Sequence, residues 1–163
     1  MQAVKDLCEN YVKDFSETRS DMIFFGKAGV GKTFFARCIA GALLEKGIDV
    51  VYISARELTE ILNASLFFER REEVEEDLKS IRTCELLVID DLGTECPTSR
   101  SVSQFFSLME ERKLHRRAML ITTNLAPEDI KRDYSERIYS RITGEYQNIN
   151  MYGDDIRAIK ETD

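Results

Sequence analysis

Apolar residues fall along this chain in short unbroken runs, separated by longer stretches in which they recur every three or four positions. The runs MIFF (22–25), VVYIS (50–54), ELLVID (85–90) and AMLITT (118–123) are continuous rather than alternating, the pattern of strands covered on both faces. YQNINMY (146–152) alternates and reads as a last strand. Between them, TFFARCIAGALLEKG (33–47) sets Phe35, Ile39 and Leu43 at helical spacing and ends on the stop signal Lys46–Gly47. SARELTEIL opens with Ser54 and Glu57 at capping-box spacing. A long helix is predicted from Ser99 to His115, with Val102, Phe105, Phe106 and Met109 as its apolar side. Pro127 and Glu128 start a short helix, and SERIYSRI (135–142) reads as another. The charge-dense ERREEVEED (69–77) is expected to be a solvated helix face with Val74, Leu78 and Ile81 turned inward. Five strands separated by helices predict an α/β fold: a five-stranded parallel sheet sandwiched by helices.

Composition narrows the class. A length of 163 residues suits one compact domain, 1–163. With 33% charged and 43% hydrophobic residues and two prolines, the chain has the profile of a soluble globular protein. No apolar run approaches a membrane span, and the start MQAVKDLCENYVKDF lacks a basic region followed by an apolar one, so a cytoplasmic protein without a membrane partner is expected. Four dispersed cysteines without a C-x-x-C pair, and the single histidine His115, argue against a zinc site. A net charge of −7 excludes a domain that coats nucleic acid by bulk electrostatics, while leaving room for a local basic track.

Chemistry enters at GKAGVGKT, which meets G-x-x-x-x-G-K-[ST] at every fixed position and lies between a predicted strand and a predicted helix. In such a loop Gly26, Gly29 and Gly31 let backbone N–H groups turn toward a phosphate chain, with Lys27, Ala28, Val30 and the following Phe34 completing the cradle. Lys32 reaches the β and γ phosphates and the Thr33 hydroxyl coordinates Mg²⁺. Asp90 closes an apolar strand, the arrangement by which a Walker B carboxylate holds Mg²⁺. Adjacent strand residues face opposite sides, so Asp91 takes a different part, as general base or water-orienting group beside the γ-phosphate; taken alone it is a turn residue with Leu92 and Gly93. Parallel sheets bind ligands at the carboxyl ends of their strands, which brings Thr122, Thr123 and Asn124 to the same edge. Asn124 fits either a hydrogen bond to water and phosphate or a turn before Pro127. Arg137 and Arg141, four apart, share one helix face and suit either one anion or a surface salt bridge.

P-loop, doubled aspartate, sensor asparagine and a late arginine pair, in this order, resemble an AAA+ ATPase. More narrowly, LLVIDDLGTE, ITTNL, YSERIYSRI and YGDDIRAIK resemble the bacterial DnaC/DnaI replicative helicase loaders over nearly the whole chain. The resemblance implies ATP and Mg²⁺ as cofactors, and ATP-dependent delivery of the replicative helicase onto single-stranded DNA. It implies sensor 1 at Asn124, an arginine finger at Arg141 that acts on a neighbouring subunit and so requires self-assembly, and a sensor 2 arginine at Arg157. Tyr11, Val12 and Phe15 fit either an adenine contact or the core, and Ser65 to Arg71, with Phe67, Phe68, Arg70 and Arg71, is where such loaders contact single-stranded DNA. The loaders' N-terminal helicase-binding region is expected to be absent, as in an excised ATPase domain, and the helical lid absent or vestigial. Transposition helpers of the IstB type share the core, but their motifs after Walker B differ from GTECPTS and from the spacing of TTN to SERIYSRI, which places them behind the loaders. A small-molecule phosphotransferase of the P-loop fold would need an acceptor site and a lid with several arginines, whereas the arginines here cluster late.

Overall fold

A computed structural model of the protein describes residues 2–153, the side chains of Phe68 and Arg71 excepted. The chain runs α1 (Gln2–Thr18), β1 (Met22–Phe25), α2 (Lys32–Glu45), β2 (Val50–Ser54), α3 (Ala55–Ala64), α4 (Phe68–Arg71), a 3-10 turn (Glu72–Val74), α5 (Glu75–Thr83), β3 (Leu86–Leu92), α6 (Ser99–Leu114), β4 (Ala118–Thr123), α7 (Pro127–Asp133), α8 (Glu136–Glu145) and β5 (Gln147–Asn150). The strands form one sheet in the order β2-β3-β4-β1-β5, and every pairing is parallel. This is the predicted sheet sandwiched by helices.

Strand parity sorts the core into two layers. Met22, Phe24, Leu86, Val88, Ala118 and Leu120 face α1 and α2, where they meet Phe15, Phe35, Ile39 and Leu43. Ile23, Phe25, Leu87, Ile89, Met119 and Ile121 face the opposite layer, which holds Leu58 and Leu62 of α3, Ile81 of α5, Phe105 and Met109 of α6, and Ile138 and Ile142 of α8. The three central strands β3, β4 and β1 are therefore covered twice, which is why their sequences are continuous apolar runs. β5 is an edge strand in which Ile149 alone is half-buried, so its sequence alternates.

Three local expectations shift. β3 extends past Asp90 to Leu92 through an irregularity in its ladder with β4. The acidic stretch is not one helix: six carboxylates between Glu69 and Asp77 repel along a helix face, and the backbone tightens into the 3-10 turn before α5. Val74 is half-buried there, while Leu78 and Ile81 face inward as expected. The capping-box spacing at Ser54 delivers one of its two bonds, with Ser54 Oγ accepting from the Glu57 N–H at 3.2 Å.

Candidate functional site

The glycine loop joins β1 to α2 at the carboxyl edge of the sheet. Gly29 and Gly31 adopt φ of 83° and 96°, a left-handed backbone that glycine takes without strain. At Gly26 a Cβ would meet the Met151 carbonyl oxygen at 2.5 Å, so the loop leaves β1 against the chain that follows β5. No side chain caps α2 at Gly31, and the helix presents its N-terminal N–H groups and positive end to the cleft. The cleft has a volume of about 350 Å³ and is lined by Ala28, Gly29, Gly31, Lys32, Thr33, Phe34, Asp91 and Asn124. Val30 packs into the core beneath it, and Lys27 is exposed.

Lys32 is buried at 4% exposure. Its ammonium donates to the carbonyls of Gly26 and Lys27, both at 2.8 Å, and to Asn124 Oδ1 at 2.7 Å. The asparagine at the end of β4 and the lysine at the start of α2 thus meet directly, although 92 residues separate them.

Asp90 is buried and surrounded by hydroxyls. Its Oδ1 accepts from Thr33 Oγ1 at 3.0 Å and from Thr122 Oγ1 at 2.6 Å. Its Oδ2 accepts from the Tyr52 hydroxyl at 2.8 Å. Burial, and after it the hydrogen bond to Asp90, push the Tyr52 phenol well above its usual range, so it stands as a protonated donor. Thr33 and Asp90 together supply the hard oxygen donors that Mg²⁺ takes, beside a loop built for phosphate, and this donor set fits a nucleotide–Mg²⁺ complex.

Asp91 departs from simple strand alternation. The β3–β4 pairing skips from Ile89↔Ile121 to Leu92↔Thr123, leaving an extra residue in β3. Asp91 takes φ of 59°, and its N–H donates to Thr122 Oγ1 at 2.9 Å. After the bulge, Leu92 joins the same core layer as Ile89, which unbroken parity would have denied it. The two aspartates are therefore separated by a bulge rather than by the faces of a regular strand, and Asp91 lines the phosphate cleft. Thr123 Oγ1 donates to the Leu92 carbonyl at 2.6 Å and clasps the bulge from β4. TTN thus divides its work: Thr122 serves Asp90, Thr123 the bulge, Asn124 the lysine.

LGTE has structural duties. A Cβ on Gly93, at φ 102°, would lie 2.6 Å from Leu125, and Glu95 accepts from the Gly93 N–H at 3.1 Å and from the Tyr134 hydroxyl between α7 and α8. Tyr52 is the site residue that sequence reading missed. Its signal lay in the pairing register, Ser54↔Asp90, which puts residue 52 on the same face two positions back.

Other expected residues lie apart from the cleft. Arg141 on α8 is paired within the chain to Glu110 and Glu145, while the exposed Arg137 holds its guanidinium 6.0 Å from the Phe106 ring centroid. Tyr11 and Phe15 are core residues, with the Tyr11 hydroxyl donating to the Ser20 carbonyl at 2.9 Å. Val12 lines a separate apolar groove of about 600 Å³ between α1 and α2 that reaches Phe34. Leu66 and Phe67 are exposed after α3. Arg157 lies outside the described residues. Among the described residues no helix is long and apolar enough to cross a membrane.

Known proteins share this arrangement. A family model described as IstB-like ATP binding protein matches residues 2–157. The replicative helicase loader DnaI of Bacillus subtilis is 29% identical over 133 residues, covering 78% of this chain and 42% of that protein. An ATP-binding protein of insertion sequence IS232 from Bacillus thuringiensis subsp. berliner is 30% identical over 111 residues, covering 68% of this chain and 43% of that protein. The chain thus spans under half the length of these two curated relatives. The crystal structure of the DnaC helicase loader aligns with a TM-score of 0.77 at 21% identity, covering 93% of this chain and 89% of that one, a likeness of fold that makes this sheet an AAA+ P-loop core.

Proposed function

The chain belongs to the IstB-like ATP-binding proteins, and on that premise we propose that its cleft binds ATP with Mg²⁺ and hydrolyses it, slowly in the monomer and faster on assembly. The observation that carries this reading is the meeting of Lys32, Thr33, Asp91 and Asn124 in one cleft, with Asp90 held directly behind Thr33. In this proposal the loop from Gly26 to Phe34 wraps the phosphates and Lys32 reaches the β and γ oxygens. Thr33 and Asp90 hold Mg²⁺, which neutralises charge on those oxygens. Asp91 takes the proton of the attacking water, and Asn124, released from Lys32, orients that water against the γ-phosphate. Arg141 serves a neighbouring subunit's nucleotide, which makes turnover depend on assembly.

For the wider role, the proposal is an ATP-driven helper that hands a DNA-acting machine to its substrate. The likeness to DnaI favours delivery of the replicative helicase onto single-stranded DNA. A second reading, service to a transposase, is favoured by the family model and by the insertion-sequence relative.

ATP turnover measured over a hundredfold range of protein concentration is expected to rise more than proportionally. Fast turnover per molecule that does not change with concentration would contradict assembly. Immobilised protein is then offered the replicative helicase or the transposase of the same cell, with and without ATP. ATP-dependent retention of the helicase supports loading, and retention of the transposase alone removes it.

A further inference from the structure

We infer that Tyr52 is a positioning residue for the metal carboxylate: it fixes which oxygen of Asp90 faces the nucleotide. The inference rests on the ATP–Mg²⁺ reading of the cleft. The two oxygens of Asp90 are already sorted by their donors. Oδ1 takes the hydroxyls of Thr33 and Thr122, and Oδ2 takes Tyr52. Thr33 is the donor that the metal claims, so its departure turns Oδ1 toward the P-loop. Tyr52 belongs to the sheet and stays, holding Oδ2 away from the metal.

The geometry explains why the residue is a tyrosine. Position 52 pairs with Val88, and Asp90 pairs with Ser54, so residue 52 is the diagonal neighbour of Asp90 on the same face. Diagonal positions lie about 7–8 Å apart, beyond the reach of serine or threonine and within that of a phenol. Arg37, on the helix that begins at the P-loop, covers the ring with its guanidinium 5.9 Å from the centroid. The hydroxyl is therefore held from the strand below and by the helix beside it. Groups that orient a metal's ligand set the metal's affinity without touching it.

The test is calorimetric titration of ADP and of a non-hydrolysable ATP analogue into wild type and Tyr52→Phe, in Mg²⁺ and in EDTA. Loss of this hydroxyl is expected to weaken the Mg²⁺-dependent affinity about tenfold, within the range seen for such supporting groups. Affinity in EDTA and the thermal unfolding temperature should stay at wild-type values. In an Asp90→Asn background the same substitution should have no effect. Arg37→Gln, which uncovers the ring, should give a smaller loss confined to Mg²⁺, and it carries the test if Tyr52→Phe proves unstable. Equal affinities in Mg²⁺, or equal losses in Mg²⁺ and EDTA, overturn the inference. A wild-type protein that binds nucleotide no better with Mg²⁺ than without brings down the reading of the cleft itself, and the inference with it.

Discussion

At Asp91 the backbone decides the side chain. With φ of 59° this residue sits in the left-handed region, which aspartate and asparagine tolerate and longer or branched residues enter at a cost of about 1 kcal/mol. That is a physical reason for the shorter carboxylate where a longer one would reach further. Asp21, at the opposite edge of the sheet, shows the other use of a carboxylate. It is half-buried and accepts the Met119 N–H at 2.7 Å, and burial pushes its carboxyl up to about 6, against the smaller opposing pull of that hydrogen bond and of Arg112 and Lys113. A carboxyl raised on folding favours the native state below pH of about 4, and that contribution is lost as pH rises through about 6. Asp21→Asn is therefore expected to leave stability unchanged near pH 4 and to raise it by roughly 1–2 kcal/mol at pH 7.5. Urea unfolding at a series of pH values checks this; a gain that is the same at every pH would remove Asp21 as its source.

Among the elements, α6 shows where the sequence pattern stopped short. Its apolar side was legible through Met109, and one turn further the inward position is Arg112, which no hydrophobic count assigns to a core. The structure buries it completely. Its guanidinium donates to the carbonyls of Ile81 and Ala118 at 2.7 Å each, and to that of Cys84 at 3.1 Å, so one side chain ties the end of α5 to the starts of β3 and β4. Arg112→Met should cost about 2–4 kcal/mol by stranding those carbonyls, and urea denaturation measures the loss. An unchanged midpoint would mean that the carbonyls find other donors. The P-loop and Asp90, by contrast, were readable because their chemistry demands a fixed local spacing. Tyr52, Thr122 and the bulge were not, because each depends on the register between strands far apart in sequence.

Over the whole molecule, the five-stranded parallel sheet was legible in the runs of apolar residues, while the separation of helicase loader from transposition helper was not. The segment used to separate them, LGTE, fastens the bulge to Leu125 and Tyr134, so it reports the fold rather than a partner. The arginine expected to act between subunits is held at home by Glu110 and Glu145. Arg141→Ala should abolish the concentration-dependent part of ATP turnover while leaving nucleotide affinity in dilute protein within about threefold, because the side chain is far from its own cleft. A large loss of affinity in the monomer would end the trans role. The hydrogen bonds of the resting cleft carry one more consequence. Lys32 holds Asn124 and two carbonyls, and Thr33 holds Asp90, so an arriving nucleotide exchanges partners with the protein rather than meeting bare groups. Departure of the product restores the old set at once. Such a site trades tightness of grip for ease of reset, a property suited to a motor that must let go on every cycle.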